Sequence, residues 1–160
     1  MGKTLYLECY SGISGDMTVA ALLDLGADRD VLEKALYSLP IGGFHIEISR
    51  VKKSGLDACD FNVILNHDNH DHDMEYLHGK DHEYSHIHEH RGMREITEII
   101  QGSAMTDKAK KMALHVFDIL AHAESKAHGV NIEEVHFHEV GAIDSIVDII
   151  SVAVCVDNLG

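Results

Sequence analysis

One stretch alternates apolar and polar residues on both sides of a Ser-Gly pair: residues 44–65, FHIEISRVKKSGLDACDFNVIL. Phe44, Ile46 and Ile48 take every second position before the pair, and Phe61 and Val63 do so after it. Alternation with a period of two is typical of strands with one buried face, and a Ser-Gly pair favours a tight turn. The stretch therefore predicts an antiparallel hairpin.

Helical patterns flank the hairpin on both sides. Upstream, residues 17–25 carry apolar side chains at helical spacing, and Asp28 is placed to cap a second apolar stripe. Downstream, Met93 begins one helical pattern and Thr106 precedes a long second one. A last apolar pattern predicts a helix over residues 142–158.

The N-terminal residues predict one further strand, because in TLYLEC, residues 4–9, Leu5 and Leu7 alternate with Tyr6 and Glu8. Together the elements predict an α+β fold: a small mixed or antiparallel sheet, made of this strand plus the hairpin, packed on helices, with a helical C-terminal half. No internal repeat or linker divides the chain, so we expect a single domain over residues 1–160.

Residues 67–90 break these patterns, because eight of them are His and seven are Asp or Glu. So few apolar residues cannot offset the entropy of ordering the chain, which predicts a long, mobile and disordered loop. Imidazole suits nickel, zinc, copper and cobalt ions, and carboxylates supplement it. The predicted metal ligands in this loop are His67, His70, His72, His78, His82, His86, His88 and His90.

The charge balance points in the same direction. The chain has 27 Asp and Glu residues against 13 Lys and Arg, which gives a formal net charge of -14. Such a surface repels phosphate backbones, which argues against a nucleic-acid partner, and it attracts cations. No apolar run is long enough for a membrane span or a signal peptide, and three scattered cysteines suit a reducing compartment. We therefore expect a cytoplasmic, metal-binding protein.

A second motif, HFHEVG, occupies residues 136–141. His136 and His138 lie two positions apart, so in an extended segment both imidazoles face one side while Phe137 faces the core. Both histidines are candidate metal ligands, with Glu139 beside them. Ordinary surface histidines are the alternative.

Carboxylates follow on the last predicted helix. Asp144 and Asp148 lie four positions apart, so they share one helix face and could converge with the histidines on a cation or a reactive group. The alternative is that Asp144 only complements the dipole at the start of the helix.

Near the N-terminus, a Gly-rich turn that contains Ser11, Gly12, Ser14 and Gly15 joins the predicted strand to the first helix. This arrangement exposes backbone N–H groups to an anion such as a phosphate. The turn lacks the Lys of a P-loop and the spacing GxGxxG, and Asp16 would repel a phosphate unless a metal ion bridged them. A tight turn with a helix cap is the alternative.

Two motifs together resemble a known family. SGISGDM at residues 11–17 and HFHEVGAIDSIVDI at residues 136–149, with a His-rich insertion between them, resemble the N-terminal part of the LarC family. These are nickel insertion proteins of nickel-pincer cofactor biosynthesis. The order of hairpin, His-rich loop, HRGMREITEII and long helix extends the resemblance over nearly the whole chain.

The resemblance implies an activity for a longer protein. It implies insertion of nickel into pyridinium-3,5-bisthiocarboxylic acid mononucleotide during lactate racemase maturation, with one nickel–carbon bond and two nickel–sulfur bonds. A full-length member is a cyclometallase of the lyase class that uses CTP and Mg²⁺ or Mn²⁺, bound mainly by its C-terminal portion. The chain is then expected to be an N-terminal domain that partners that portion or another copy of itself.

The resemblance also suggests roles for the residues found above. It makes Asp16, Glu139 and Asp144 candidate catalytic carboxylates, and it makes the Gly-rich turn a candidate site for the mononucleotide phosphate. A stand-alone nickel store or metallochaperone without catalysis is the alternative. A zinc hydrolase is disfavoured, because the sequence shows no nucleophile–base pair.

Overall fold

A computed structural model describes residues 3–66, 91–137 and 140–160. The fold is α+β, as predicted, with five α-helices and two antiparallel two-stranded sheets in the described residues. The predicted loop at 67–90 lies outside them. In chain order the elements are α1 (Gly15–Asp24), α2 (Arg29–Leu36), β1 (Phe44–Lys53), β2 (Leu56–Leu65), β3 (Arg91–Gly92), α3 (Met93–Gln101), α4 (Asp107–His128), a 3-10 turn (Ile132–Glu134), β4 (His136–Phe137) and α5 (Ile143–Leu159).

The predicted hairpin is confirmed. β1 and β2 pair in register from Phe44 opposite Leu65 to Lys53 opposite Leu56. Ser54 and Gly55 form the connection with φ values of 52° and 83°, which is the left-handed backbone that a two-residue hairpin turn requires. The hairpin packs its apolar face on α1 and α5.

The predicted helix caps at Asp28 and Thr106 are also confirmed. The Asp28 carboxylate accepts a 2.9 Å hydrogen bond from the Asp30 N–H, and the Thr106 hydroxyl accepts one of 3.1 Å from the Ala109 N–H. These caps satisfy N–H groups that have no partner inside the helix. Gly129 ends α4 in the left-handed conformation, with φ of 68°. Within the described ranges, no helix combines the length and the apolarity that crossing a membrane requires.

The core surrounds α5. This helix packs against α1, α2, α4 and β2, and it buries side chains on most of its surface. Ile146, Val147 and Ile150 are fully buried, and Leu32 of α2 and Phe117 of α4 belong to the same buried cluster. Because α5 packs against elements from both sides of residues 67–90, groups carried near its start are held by several separate elements.

One predicted element is wrong. Residues 4–9 form no strand, and Leu5, Tyr6 and Leu7 are exposed by 41%, 76% and 56%. A strand needs hydrogen bonds from a neighbouring strand. In the described residues, this segment pairs with neither of the two-stranded sheets. The segment is instead tethered at Lys3, whose Nζ donates a 2.6 Å hydrogen bond to the Leu159 carbonyl.

Candidate functional site

Strand β4 places two neighbouring side chains on opposite sides of the chain. Phe137 is fully buried, and its ring meets the ring of Phe117 edge-on with 6.0 Å between centroids. His136 is exposed. The alternation that the sequence predicted is confirmed here: Phe137 anchors the segment in the core, and His136 faces solvent.

Strand β3 joins His136 to the end of the His-rich stretch. Arg91 lies opposite Phe137 and Gly92 lies opposite His136 in the antiparallel pair. Arg91 directly follows the His-rich stretch in the sequence. The pairing therefore brings the first residue after that stretch to the strand that carries His136.

A carboxylate missed by the sequence reasoning faces the same pair. Glu95 accepts a 3.0 Å hydrogen bond from the Gly92 N–H at the start of α3. Hydrogen bonds from its own backbone N–H and from Gly92 lower the pKa of Glu95, and the charge of His136 acts in the same direction. Glu95 Oε2 and His136 Nδ1 both lie within 4 Å of the position that a Cβ at Gly92 would take, so the carboxylate and the imidazole are near neighbours. The three-residue spacing of a capping box was the signal available in the sequence.

Phe137 and Gly141 approach each other closely. Gly141 is buried, and a Cβ at this position would lie 2.6 Å from the Phe137 carbonyl oxygen. Only a residue without a side chain permits this approach. Arg91 Nη1 donates a 2.9 Å hydrogen bond to the Gly141 carbonyl.

The structure brings together three carboxylates of the predicted site. Asp16 lies in the first turn of α1, and Asp144 and Asp148 lie near the start of α5. The pKa of Asp148 is raised to about 7, first by burial and then by the charges of Asp16 and Asp144, against an opposing hydrogen bond from the Asp16 backbone. The Oδ1 atoms of Asp144 and Asp148 are buried without a hydrogen-bond partner among the described residues. Such oxygens favour the uptake of a proton or a cation.

The Gly-rich turn ends against this carboxylate cluster, by which we mean Asp16, Asp144 and Asp148. A Cβ at Gly15 would lie 2.4 Å from Asp148 Oδ2, so the start of α1 is in direct contact with α5. Ser14 Oγ donates to Asp16 Oδ1, which also accepts a 2.8 Å hydrogen bond from the Met17 N–H.

Asp148 therefore lies where an anion at the start of α1 would otherwise bind. Ser11 and Gly12 are exposed at the far side of the turn, where Gly12 has φ of 84° and donates a 3.0 Å hydrogen bond to the Cys9 carbonyl.

The other predicted site residues lie outside the described part of the chain. These are His138, Glu139 and the eight histidines of residues 67–90. Among residues 3–66, 91–137 and 140–160, no group of three or more His, Cys, Asp or Glu side chains is arranged to hold a metal ion. The described residues thus supply two separate features, His136 with Glu95 and the carboxylate cluster.

Comparison with known proteins places these features in a family. A family model described as nickel insertion protein matches residues 5–160, which is nearly the entire chain. The chain belongs to the nickel insertion protein family. The resemblance inferred from the two motifs is confirmed, and both features lie within the matched range.

Other members of the nickel insertion family are longer. A protein of Alkaliphilus metalliredigens is 55% identical over 160 residues, which make up 99% of this chain and 38% of that protein. A protein of Geobacillus kaustophilus is 41% identical over 157 residues, 98% of this chain and 36% of the relative. Both are named pyridinium-3,5-bisthiocarboxylic acid mononucleotide nickel insertion protein. No solved structure matches the chain.

In this nickel insertion family member, Asp148→Asn is expected to remove a pH dependence of stability. The pKa of Asp148 in the folded chain, about 7, lies above the ordinary value of 3.8, so the folded state binds the proton more tightly than the unfolded state. The stabilisation is complete below the unfolded pKa and is lost as the pH rises through 7. Between pH 5 and pH 8, the free energy of unfolding of the variant should therefore rise by about 1–2 kcal/mol relative to that of the unsubstituted chain, allowing for partial solvent screening.

Urea unfolding at both pH values, in the presence of a chelator, measures this difference. Asp107→Asn changes an exposed carboxylate at the start of α4 and is the matched control, for which we expect the same difference at both pH values. A pH-independent effect of Asp148→Asn would show that the carboxylate cluster does not hold the proton.

Proposed function

We propose that this chain gathers Ni²⁺ and presents it for insertion into pyridinium-3,5-bisthiocarboxylic acid mononucleotide, a step in nickel-pincer cofactor biosynthesis that supports lactate racemase maturation. The observation that carries the proposal is the pairing of β3 with β4, which joins the end of the His-rich stretch to the strand of His136. The names of the relatives support the substrate. In this proposal nickel is the cargo, and the chain is the N-terminal domain of a longer cyclometallase of the lyase class.

Nickel capture is assigned to the histidines. Those of residues 67–90 gather the ion, and His136 and His138 receive it. An imidazole must be neutral to bind a metal, so capture weakens as the pH falls through about 6.5. Glu95 supports this role at His136, because its ionised carboxylate faces the imidazole.

Proton transfer is assigned to the carboxylates. A nickel–carbon bond forms on an aromatic ring only as the C–H bond breaks, so a base must take the released proton. We assign this role to Asp16, Glu139 and Asp144, with Asp148 as a neighbour whose pKa of about 7 lets it hold a proton near neutral pH. We assign the phosphate of the mononucleotide to the turn formed by Ser11, Gly12, Ser14 and Gly15. Because Asp148 lies at the start of α1, the phosphate can approach only from the side of the turn that carries Ser11.

The remaining requirements are assigned outside this chain. CTP and Mg²⁺ or Mn²⁺ are proposed to bind mainly to the C-terminal portion of a full-length protein, where the divalent ion would neutralise phosphate charge. Carboxylate oxygens are the ligands such hard cations prefer, so the unpartnered Oδ1 atoms of Asp144 and Asp148 fit a supporting contact. The proposal places the protein in the cytoplasm, with that portion, or a second copy of the chain, as partner and with no nucleic-acid or membrane partner.

An activity assay tests the proposal. The purified chain is mixed with the mononucleotide, Ni²⁺, Mg²⁺ and CTP, with and without the C-terminal portion of a full-length relative. We expect nickel-pincer cofactor only when both parts are present. Nickel binding without product from the two parts together would instead support a nickel store or metallochaperone.

Deleting residues 69–89 is expected to remove most of the bound nickel while leaving the fold intact, because the deletion removes most of the eight histidines of residues 67–90.

In contrast, His136→Ala should leave total nickel nearly unchanged and slow its transfer to the mononucleotide at least about 10-fold. Calorimetry on the chain measures the bound nickel, and a stopped-flow assay with the C-terminal portion and CTP present measures the transfer.

The matched control for His136→Ala is His45→Ala, which removes an exposed histidine from β1. It should change neither quantity. Unchanged nickel uptake after the deletion would contradict the gathering role, and equal transfer rates in the two His variants would contradict a handover at His136.

A further inference from the structure

Arg91 contacts both Phe137 and Gly141. Its backbone lies opposite Phe137 in the β3–β4 pair, and its Nη1 donates a 2.9 Å hydrogen bond to the carbonyl of Gly141. The side chain is half-buried, whereas that of Arg94, three residues later, is 86% exposed in an ion pair with Glu98. The two arginines therefore have different surroundings although they are neighbours in the sequence.

The β3–β4 pair needs a further stabilising contact, because each strand has only two residues. So short a ladder contributes little on its own. Gly141 is buried, so its carbonyl requires a donor. A guanidinium supplies a charge-assisted hydrogen bond, which is stronger than one between neutral groups, and its planar fork fixes the direction of approach.

The same contacts fix His136. This residue pairs with Gly92, one position along β4 from the Arg91–Phe137 pair, and it directly precedes the buried Phe137. Without the hydrogen bond from Arg91 to Gly141, β4 would be held mainly by Phe137, and the backbone at His136 could move relative to β3. The precision of a ligand depends on such supporting contacts.

We propose that Arg91 is a positioning residue, which links Phe137 to Gly141 and thereby holds His136 opposite Gly92 for nickel transfer. The transfer itself rests on the proposed function, whereas the link is a property of the nickel-free chain. Arg91 acts on the ion through His136 and through the backbone around it. Its loss should therefore affect transfer far more than total nickel binding.

The test uses Arg91→Gln and Arg91→Lys, with Arg94→Gln as the matched surface control. Ile150→Val, a truncation in the core around α5, controls for a general loss of stability. In the nickel-free chain, amide hydrogen exchange over residues 135–143 should rise about 10-fold in Arg91→Gln, less in Arg91→Lys, and not in either control. With nickel bound and the C-terminal portion and CTP present, transfer to the mononucleotide should slow about 10-fold in Arg91→Gln at unchanged nickel stoichiometry, with partial rescue by Lys.

Unchanged amide exchange in Arg91→Gln would overturn the link. Raised exchange with normal transfer would overturn the positioning role. A separate NMR experiment on the unsubstituted chain measures whether Ni²⁺ broadens the resonances of the His136 ring. If the ring shows no nickel contact, the proposed function fails at His136, and the link is still decided by the exchange rates of the nickel-free variants.

Discussion

Phe137→Ala is expected to lower the free energy of unfolding by about 3–5 kcal/mol, the usual cost of truncating a buried aromatic side chain. Phe137 is fully buried and packs edge-on against Phe117, so the truncation leaves a cavity beside α4. The effect should extend beyond packing, because this side chain anchors a two-residue strand. We therefore also expect the exposed His136 to lose its fixed place opposite Gly92.

Urea unfolding followed by circular dichroism measures the loss of stability. His136→Ala is the matched control, because it truncates the neighbouring residue on the exposed side of the same strand, where substitutions usually change stability by less than about 0.5 kcal/mol. Equal losses in the two variants would mean that β4 is not anchored through Phe137.

The contrast between His136 and Phe137 shows what the sequence could predict. Local rules sufficed wherever a pattern and its structural consequence lie within one element: the period of two in β1, β2 and β4, and the caps at Asp28 and Thr106. Each depends on backbone geometry over a few residues, so no knowledge of the rest of the fold was needed. The α+β class followed from the order of such elements.

The N-terminal strand was wrong for the opposite reason. Alternation of Leu5 and Leu7 with Tyr6 and Glu8 satisfies the local rule, but a strand forms only where a neighbour offers hydrogen bonds. Whether an edge is available depends on the packing of distant elements. In the described residues β1 and β2 pair with each other and leave this segment unpaired.

Local patterns also predicted only part of the candidate site. The motifs identified Asp16, Asp144 and His136 one at a time, and helical spacing related Asp144 to Asp148. No sequence rule could show that Gly15 lies against Asp148, or that Arg91 reaches Gly141, because these contacts join residues far apart in the chain. The raised pKa of Asp148 results first from burial and then from the charges of Asp16 and Asp144, and the burial and the charge of Asp16 cannot be read from its neighbours in the sequence.

Gly15→Ala is expected to separate α1 from α5 and to lower the free energy of unfolding by about 2–3 kcal/mol, as overpacking of a tight contact does. The new Cβ would lie 2.4 Å from Asp148 Oδ2, 2.7 Å from its Cβ and 2.8 Å from its Cγ. Rotating the carboxylate could relieve the first contact but not the second, so the helices must move. Helix propensity works in the other direction, since Ala is favoured over Gly by about 1 kcal/mol inside a helix.

Thermal and urea unfolding of Gly15→Ala are compared with Gly42→Ala, whose Cβ would meet no atom within 4 Å. The control should be neutral or slightly stabilising, because Ala restricts the unfolded chain. A double-mutant cycle with Asp148→Ala then identifies the cause. That change removes Cγ and Oδ2 but keeps the Cβ, so it should recover part of the loss, with a coupling of about 1 kcal/mol. Strictly additive effects would show that Gly15 is needed for some reason other than its contact with Asp148, and that the start of α1 does not depend on the carboxylate cluster.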